Sequence, residues 1–461
     1  MRKTLLFAAA ILALAACSKE NAVKEDSPID ASKIVFDIQV KNADATKAVK
    51  TVWESGDVVY VFFEENTTQY VKMTYDGTSW AYADKDGGST FTGLTLAASG
   101  KKVSAVYMPA FVCSAAPTYS TDKWTFGSVE GYFQTAEGVD YTVTSTSDVT
   151  TLSATLSLAA PAGISQVFIP NTEYSAPASG NEHVLTATHI IPFTFSGIAP
   201  GGAATYGNGS IGFPLTAYSG TIGSDTGYYF WGILESAGEN DFTFQLVERN
   251  AAKGYAISSK SKPVHATVGG SFAAKLTGLT NNGNFVSLGY AGGPLWATGN
   301  LDKTSGIIVA PLAAGEYFMY GYTTPYNSSD VSYAGTDNPL PTDHDAAYQA
   351  NNAWRIPTRD QFDALIDNAN TEGEWKSGWT SLGGNNGGYL ITSKSNGISL
   401  FFAAAGNCYD GSLYYAGDDG YFWSSTPFDS DYAYYLYFGY GYFSTYYYDR
   451  DNGYPVRPVQ N

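Results

Sequence analysis

The sequence predicts a mostly β protein, and three observations lead to that prediction. The 461-residue chain contains 49 glycines, and its middle part has no run of apolar residues at helical spacing. Residues 34–40 and 241–246 alternate between apolar and polar side chains, as strands with one buried face do. Charged residues make up only 15% and apolar residues 44%, which is typical of a globular chain and not of a disordered one.

Length and charge limit the possible architectures and partners. A chain of this length holds about three domains on the usual size relation. The net charge of −18 makes nucleic acid and anionic membrane surfaces poor partners, so we expect no nucleic-acid binding. Cys113 and Cys408 are far apart, which excludes a disulfide framework and disfavours a single long-range bridge. No histidine lies near a cysteine, so no zinc site is expected.

The amino terminus has the features of a secretory signal. Arg2 and Lys3 precede an apolar segment that is too short to span a bilayer, and residues 14–17 (LAAC) match the bacterial lipobox. We therefore predict a lipoprotein signal peptide over residues 1–17, lipidation of Cys17 and a flexible tether over residues 18–32. An ordinary signal peptide with a chance cysteine is the alternative. Residues 18–20 (SKE) resemble the export tag of Bacteroidetes surface lipoproteins.

Strands are predicted in succession after the tether, separated by turn-forming residues. Besides residues 34–40, the predicted strands are residues 58–63, 70–75, 80–83 and 102–108.

The motifs of this region resemble those of Bacteroidetes fimbrillins. Residues 53–62 (WESGDVVYVF) and 74–80 (TYDGTSW) are similar to the amino-terminal fimbrillin domain. A second set of core segments follows at residues 191–197 (IPFTFSG), 229–234 (YFWGIL) and 241–246 (DFTFQL). The resemblance implies two β-sandwich-like domains, over residues 33–165 and 166–283.

The fimbrillin resemblance also implies a route of assembly. Fimbrillins reach the surface as lipoproteins, lose an amino-terminal segment to a trypsin-like protease, and receive a strand from a neighbouring subunit in the groove that is left. Residues 34–40 would be the removable strand, with Lys47 or Lys50 as the cleavage site. The family favours arginine at that site and this segment has none. The alternative is a lipoprotein that stays anchored with its first strand intact.

A different unit is predicted over residues 284–461. Its predicted helices are residues 341–350 and 358–370, and Thr358 with Gln361 forms a capping-box pattern at the start of the second helix. The predicted strands of this unit are residues 389–393, 399–403, 420–425, 432–438 and 454–459.

The motifs of this unit resemble the Fibrobacter succinogenes major paralogous domain, a relative of the C-type-lectin-like and formylglycine-generating-enzyme folds. They are, in the order of the family, residues 295–298 (LWAT), 354–358 (WRIPT), 397–400 (GISL), 421–426 (YFWSST) and 456–459 (VRPV). The expected architecture is therefore two fimbrillin β-sandwich-like domains followed by an α+β C-type-lectin-like domain. Four residues of these motifs are expected to be structural, with the tryptophans in the core and the arginines in buried hydrogen bonds or ion pairs: Trp354, Arg355, Trp423 and Arg457.

The last fifty residues carry the candidate binding surface. Fourteen tyrosines lie between Tyr409 and Tyr454, mixed with aspartate, serine, asparagine and glycine. This mixture is typical of paratopes, because tyrosine offers a large contact area at a low rotamer cost. Packing within a tyrosine-rich sheet is the alternative for any single ring. The candidate ligand-binding residues are Asp410, Tyr414, Tyr415, Asp418, Asp419, Asp429, Asp431, Tyr432, Tyr440, Tyr442, Tyr446, Tyr448, Asp449 and Asp451.

The same residue types raise a hypothesis about diversification. The lectin-like fold is a target of diversity-generating retroelements, and adenine-directed mutation of asparagine-type codons produces the residue types that fill residues 409–454. A nearby near-copy of this coding segment that differs only at adenines would support the hypothesis, and the absence of such a copy would contradict it.

The sequence offers little for catalysis. The formylglycine-generating enzymes use a cysteine pair, whereas residues 284–461 contain only Cys408, and His344 is expected at a helix start. Residues 84–87 and 449–453 are similar to calcium loops but lack the full spacing and the terminal glutamate. We therefore predict no enzyme activity, no cofactor and no catalytic metal, and leave a structural calcium ion open.

Together these features predict a cell-surface adhesin. It would be an outer-membrane lipoprotein and a pilus tip subunit, with other pilin subunits as partners by strand addition and a host or bacterial glycan or glycoprotein as ligand. The tip position follows from the resemblance, because a shaft subunit donates a strand from its carboxyl end and this end is predicted to be folded. The alternative is an anchored glycan-binding lipoprotein that does not polymerise.

Overall fold

The computed structural model of the protein describes residues 29–30, 34–42, 53–83, 90, 93–94, 101–108, 116–126, 129–130, 133–160, 164–187, 189–208, 214–234, 238–268 and 272–460. These residues form a mostly β protein, which confirms the predicted fold class at that level; their strands are numbered β1 to β39 and their helices α1 and α2. Neither helix of the described residues has the length and apolar character needed to cross a bilayer. Several predictions concern residues outside the described ranges: the signal peptide, Cys17, most of the tether, Lys47, Lys50, residues 84–87 and Cys113.

The first β unit, residues 29–160, is built from short strands around one core. A five-stranded sheet in the order β11-β7-β3-β4-β5 and a three-stranded sheet in the order β12-β13-β2 both contribute to that core. The strands are β1 (Ile29–Asp30), β2 (Ile34–Asn42), β3 (Val58–Phe63), β4 (Val71–Tyr75), β5 (Trp80–Ala83), β6 (Gly93–Leu94), β7 (Lys102–Tyr107), β8 (Thr118–Ser120), β9 (Lys123–Thr125), β10 (Val129–Glu130), β11 (Gln134–Asp140), β12 (Thr142–Ser145) and β13 (Thr150–Leu158). The predicted strands 58–63 and 80–83 are confirmed with the same bounds.

Strand β2 lies at the edge of its sheet. It runs parallel to β13, from the pair Ile34 and Thr150 to the pair Asn42 and Leu158. The alternation predicted from the sequence is confirmed, because Ile34 and Ile38 are buried while Val35 is exposed. Within the described residues, β13 is the strand that β2 pairs with, and the other side of β2 has no ladder.

The second β unit comprises most of residues 164–283. One sheet has the order β16-β20-β14-β23 with β19 on β20, the other has the order β15-β21-β22-β24, and apolar residues of both meet in a common core. The strands of this part of the chain are β14 (Ile164–Pro170), β15 (Asn181–Thr186), β16 (Ile190–Ile191), β17 (Phe193–Ile198), β18 (Ala204–Asn208), β19 (Tyr218–Ile222), β20 (Asp225–Leu234), β21 (Gly238–Asn250), β22 (Ala256–Val268), β23 (Phe272–Lys275) and β24 (Thr280–Gly283).

Two strands of this stretch belong to the first β unit. Strands β17 and β18 complete a sheet with β8, β9 and β10, and Phe195 and Ile198 are buried in the core of the first unit. The chain therefore crosses from the second unit back to the first and then returns. The predicted boundary between residues 165 and 166 thus does not separate the two units completely.

The C-terminal unit, residues 285–460, combines small sheets with two helices. Its elements are β25 (Phe285–Ser287), β26 (Leu295–Ala297), β27 (Leu301–Asp302), β28 (Ile307–Ile308), β29 (Tyr317–Phe318), α1 (Ala346–Ala350), α2 (Arg359–Ile366), β30 (Thr371–Lys376), β31 (Gly388–Ser393), β32 (Ser399–Ala403), β33 (Asn407–Tyr409), β34 (Ser412–Tyr414), β35 (Gly420–Pro427), β36 (Tyr432–Gly439), β37 (Tyr442–Asp449), β38 (Tyr454–Pro455) and β39 (Val459–Gln460).

The carboxyl end of the chain is built into this unit. Strand β39 pairs with β26 near the start of the unit, and Val459 also exchanges backbone hydrogen bonds with Arg355. Val456 and Val459 are fully buried. The described tail is thus an internal part of the fold and not a free strand.

Both helices are shorter than predicted. Helix α1 starts at Ala346 because the carboxylate of Asp345, and not His344, accepts the amide protons of Ala347 and Tyr348. Helix α2 has the predicted capping box between Thr358 and Gln361, but it ends at Ile366, where the chain turns into strand β30.

Nine short or irregular strands of the C-terminal unit were missed by the sequence analysis, namely β25 to β30, β33, β34 and β37. Strand β30 pairs with β31, and β37 forms the edge of the sheet β35-β36-β37. The sequence of β37, YFSTYYYD, has tyrosines in adjacent positions and therefore lacks the two-residue alternation from which strands are predicted.

The second β unit and the C-terminal unit share a continuous seam. Only Asn284 separates β24 from β25. The side chain of Gln245 bonds both the carbonyl (3.0 Å) and the amide (2.6 Å) of Ser287, and the Ser259 hydroxyl donates to the Phe285 carbonyl at 2.6 Å. Val184 and Val247 are buried in a core cluster with residues of the C-terminal unit.

Candidate functional site

Most of the fourteen candidate ligand-binding residues lie on the surface. Twelve are exposed, and two, Asp418 and Asp419, are half-buried. Several tyrosines are among the most exposed large side chains of the described residues, with Tyr440 at 80%, Tyr442 at 64% and Tyr415 at 60%. These rings were therefore not drawn into a common core.

A tight hairpin forms one wall of the site. Strands β33 and β34 are joined by Asp410 and Gly411, whose φ angles of 47° and 72° are the left-handed values that a two-residue hairpin turn requires. Gly406, at the base of the hairpin, has φ of 68°, and a Cβ there would lie 2.1 Å from the carbonyl oxygen of Tyr414. The hairpin can approach its neighbour only because residue 406 has no side chain.

The sheet β35-β36-β37 forms the opposite wall, and the pleat separates its aromatic residues by face. On one face, Phe422 and Phe438 are fully buried against the core of the unit. On the other face, the ring of Tyr421 is stacked on that of Tyr435 and tilted against that of Tyr437, with centroids 5.9 Å and 5.2 Å apart. The rings of Tyr421, Tyr435 and Tyr437 thus face the hairpin.

Between the two walls lies an open cleft of about 730 Å³, which we call the tyrosine cleft. Eight of its twelve lining residues are tyrosines, and the rest are two asparagines and two aspartates: Asn407, Tyr409, Tyr414, Tyr415, Asp419, Tyr421, Tyr435, Tyr437, Tyr448, Asp449, Asn452 and Tyr454. Five of the fourteen candidates line it, namely Tyr414, Tyr415, Asp419, Tyr448 and Asp449.

Asp419 is the half-buried carboxylate of the cleft. It accepts a hydrogen bond from the Tyr421 hydroxyl at 3.2 Å, and its backbone carbonyl accepts the Gly406 amide, which joins the two walls. Burial raises the pKa of Asp419, and the neighbouring charge of Asp418 acts in the same direction, whereas the bond from Tyr421 lowers this pKa. Burial also raises the pKa of Tyr421, so the phenol remains a neutral donor.

Asn407 and Asn452 face each other beside the hairpin. The Asn407 amide nitrogen donates to Oδ1 of Asn452 at 3.4 Å, and Asn407 is 9% exposed. Its own Oδ1 atom is buried and has no hydrogen-bond partner among the described residues. An unpaired buried acceptor is costly, so this oxygen is a position in the cleft wall where a donor would be favourable.

A buried arginine holds the loops behind the cleft. The guanidinium of Arg450 donates to the carbonyls of Tyr432 at 3.1 Å and Gly335 at 2.9 Å, and also to those of Tyr333 and Asp429. It lies 4.6 Å from the ring centroid of Tyr320. Because its hydrogens are occupied by carbonyl oxygens, Arg450 is a structural residue and not a free cation of the surface.

Two candidate aspartates outside the cleft accept hydrogen bonds from backbone amides. Asp429 accepts the amides of Asp431 and Tyr432, both at 2.8 Å. Asp418 accepts the backbone and side-chain nitrogens of Asn385. These carboxylates hold turns, as aspartate often does in irregular segments.

The remaining candidates lie on other parts of the surface. Tyr432 lies in strand β36, Tyr442 and Tyr446 lie in strand β37, and Tyr440 lies in the turn between these two strands. Asp431 and Asp451 are exposed beside this sheet, and Asp410 lies at the hairpin tip.

The four motif residues expected to be structural are placed in or beside the core. Trp423 is 1% exposed and donates its indole N–H to the Phe318 carbonyl at 2.8 Å, and Trp354 is buried beside Phe285. Arg457 is fully buried and donates to the carbonyls of Ala297 and Phe401. Arg355 is half-buried and donates to Asn352 and Trp354 carbonyls.

The described residues contain no group of three or more side chains with metal-ligand geometry. Asp449, in the segment similar to a calcium loop, accepts the amide of Asp451 at 2.9 Å, and the next residue along the chain, Arg450, points into the loops behind the cleft. Burial raises the pKa of the Cys408 thiol, which is the opposite of the shift that activates a cysteine nucleophile.

Seven residues of the cleft were not among the candidates: Asn407, Tyr409, Tyr421, Tyr435, Tyr437, Asn452 and Tyr454. Tyr421, Tyr435 and Tyr437 share one face of the sheet, so two-residue alternation along β35 and β36 could have indicated them. Tyr454 is 2% exposed and forms the floor of the cleft beside Trp423, which no local pattern indicates.

The tyrosine cleft lies within the segment that matches a known protein family. The model of a family described as a domain of unknown function, DUF8237, matches residues 385–459, which include every lining residue of the cleft. This is a small part of the 461-residue chain. No curated protein matches the sequence.

Two solved structures of fimbrial proteins are similar to the chain. The fimbrial anchor protein Mfa2 from Porphyromonas gingivalis is 9% identical, with 54% of this chain and 90% of that chain covered and a TM-score of 0.24. A fimbrial protein from Bacteroides ovatus is 11% identical, with 93% and 99% covered and a TM-score of 0.20. Scores of this size do not establish a common fold. The lectin-like family of residues 284–461 and the lipid anchor therefore stay predictions.

Proposed function

We propose that this protein is a cell-surface adhesin that binds a host or bacterial ligand through the tyrosine cleft of its C-terminal unit. The observation that carries the proposal is the cleft itself, where eight tyrosines and two carboxylates line an open space of about 730 Å³. Four of these tyrosines are exposed, and a cluster of exposed aromatic rings in a cleft is typical of a binding site: Tyr409, Tyr414, Tyr415 and Tyr448. The arrangement offers broad contact area with adaptable hydrogen bonding, as in antibody paratopes.

The adhesin is proposed to sit at the tip of a pilus. The edge position of β2 supports the strand-exchange part of this proposal, because removing β2 would uncover β13 along its whole length. The fold of residues 454–460 supports the tip position, since these residues belong to the C-terminal unit: β39 pairs with β26, and Val459 pairs with Arg355.

An anchored lipoprotein that does not polymerise is the second candidate function. The two candidates differ in the amino terminus of the mature protein. Sequencing the protein recovered from cells should find a start after Lys47 or Lys50 in the pilus case, and a lipid-bearing Cys17 in the anchored case.

Binding is tested with the full chain, because the C-terminal unit shares buried residues with the second β unit. Arrays of glycans and mucins should retain the wild-type chain, and Tyr415→Ala with Tyr448→Ala should lose most of that retention. Val331→Ala is the matched control, since Val331 is 77% exposed and lies outside the cleft. Equal retention of the wild type and the double variant on every bound ligand would overturn the assignment of the cleft.

A further inference from the structure

We propose that the tyrosine cleft recognises a cationic group, an arginine or lysine side chain presented by a protein on the target surface. This inference rests on the proposed function and names the chemistry of its ligand. It depends on the charges of the cleft, on the unpaired acceptor in its wall and on the aromatic rings that surround both.

Every charged group of the cleft is an acid. Asp419 and Asp449 are its only ionisable residues besides the tyrosines, and none of the twelve lining residues is lysine or arginine. The nearest arginine along the chain, Arg450, is fully buried and bonded to backbone carbonyls. An anionic ligand would therefore meet two carboxylates with no compensating cation, whereas a cation would be attracted to both.

The carboxylates and the one unpaired hydrogen-bonding group of the cleft also favour a donor. The carboxylates of Asp419 and Asp449 only accept when ionised, and Oδ1 of Asn407 is a buried acceptor without a partner. A guanidinium or ammonium group only donates, so it complements this set, and charge-assisted bonds to carboxylates are stronger than bonds between neutral groups.

The aromatic lining completes the match. The face of a tyrosine ring carries negative potential and attracts a cation within about 6 Å of its centroid. The C-terminal unit already uses this geometry within itself, because Arg355 lies 4.1 Å from the ring centroid of Tyr348 and Arg359 lies 4.3 Å from that of Tyr434. In the cleft the rings of Tyr415 and Tyr448 are exposed and available for the same contact.

The test compares two peptides that differ only in charge. The full chain is immobilised and titrated with a Gly-Ser peptide carrying one central arginine, and with the same peptide carrying citrulline, the neutral isostere. The arginine peptide should bind about tenfold or more tightly, and its affinity should fall as salt is added. Equal affinities of the two peptides would overturn the proposal.

Two variants locate the effect. Asp419→Asn keeps the size of the side chain and should remove most of the preference for arginine over citrulline. Asp122→Asn removes the same charge from an exposed turn of the first β unit and should leave that preference unchanged. A preference for arginine that both variants retain would show that the cation binds elsewhere.

The proposal of a cationic ligand and the proposal of an adhesin can fail independently. If the array ligands are neutral glycans whose binding depends on Tyr415 and Tyr448 but not on Asp419, the adhesin proposal stands and the cationic ligand is overturned. If arginine peptides bind in the cleft but no surface ligand does, the chemistry stands and the adhesin proposal fails.

Discussion

The two faces of the sheet β35-β36-β37 contain similar aromatic rings in opposite environments. On the core side, Phe422 and Phe438 pack with a centroid distance of 5.8 Å and no exposure. On the cleft side, the tilted rings of Tyr421 and Tyr437 have centroids 5.2 Å apart and keep their hydroxyls near Asp419. The same strands therefore contribute one face to the core and the other face to the cleft.

Removing a ring from the core face should have the largest effect. Phe422→Ala should lower the free energy of unfolding by about 3–5 kcal/mol, since it leaves a cavity beside Phe402 and Phe438. Tyr448→Ala on the cleft face should cost less than about 1 kcal/mol, because Tyr448 is 52% exposed. Chemical denaturation of the two variants measures both. Similar losses would mean that the faces do not divide the roles as described.

Adding a methyl group at the base of the hairpin should have the next largest effect on stability. Gly406→Ala should cost about 1–3 kcal/mol, because the new Cβ meets the Tyr414 carbonyl and the φ of 68° disfavours any other residue. The matched control is Gly411→Ala at the hairpin tip, where φ is similar but the nearest atom is 3.9 Å away. Thermal unfolding should rank Gly406→Ala as the more damaging, and equal shifts would contradict the close approach.

Loss of the helix cap should have an intermediate effect on the free energy of unfolding and no effect on ligand binding. Thr358→Ala removes the acceptor of the Gln361 amide and should destabilise the protein by about 1 kcal/mol. Ligand binding in the cleft should be unchanged at temperatures well below unfolding. Thr358→Ser keeps the acceptor and is the control. A change in ligand affinity with Thr358→Ala would show that the two faces are coupled.

The smallest effect is expected from one hydroxyl on the cleft face. Tyr421→Phe removes a bond that lowers the pKa of Asp419, so this pKa should rise further in the variant. A carboxyl whose pKa is higher in the folded than in the unfolded state reduces stability above its folded pKa, and this reduction disappears below the unfolded pKa. The stability loss at neutral pH should therefore be below about 1 kcal/mol and should vanish on acidification.

A titration followed by NMR of the Asp419 carboxyl group measures that shift directly. Tyr432→Phe is the control, because Tyr432 lies outside the cleft lining. An Asp419 pKa that is lower in Tyr421→Phe than in the wild type would contradict the assigned hydrogen bond.

The sequence predicted the parts of this architecture that depend on local patterns. The β content, the alternation of residues 34–40, the capping box at Thr358 and the exposure of Tyr440 and Tyr442 all follow from residue type and spacing. The assembly of the cleft did not, because it depends on contacts between residues distant in the chain. The Asp419 carbonyl that bonds Gly406 and the floor formed by Tyr454 are such contacts.

The burial of Arg450 is another feature that local sequence patterns did not predict. Arg450 lies in residues 449–453, which are similar to a calcium loop, yet it is fully buried, because the carbonyls of Gly335 and Asp429 converge on it from other loops. A buried guanidinium requires several such acceptors, and no local pattern reveals where they come from.

The seam between the second β unit and the C-terminal unit has a mechanical consequence. Asn284 is the only residue between β24 and β25, so the connection between the two units is short. The side-chain hydrogen bonds of Gln245 and Ser259 hold the two units together at this junction. If the C-terminal unit binds a surface ligand as proposed, tension on that ligand would pass into β21 and β22 through these bonds.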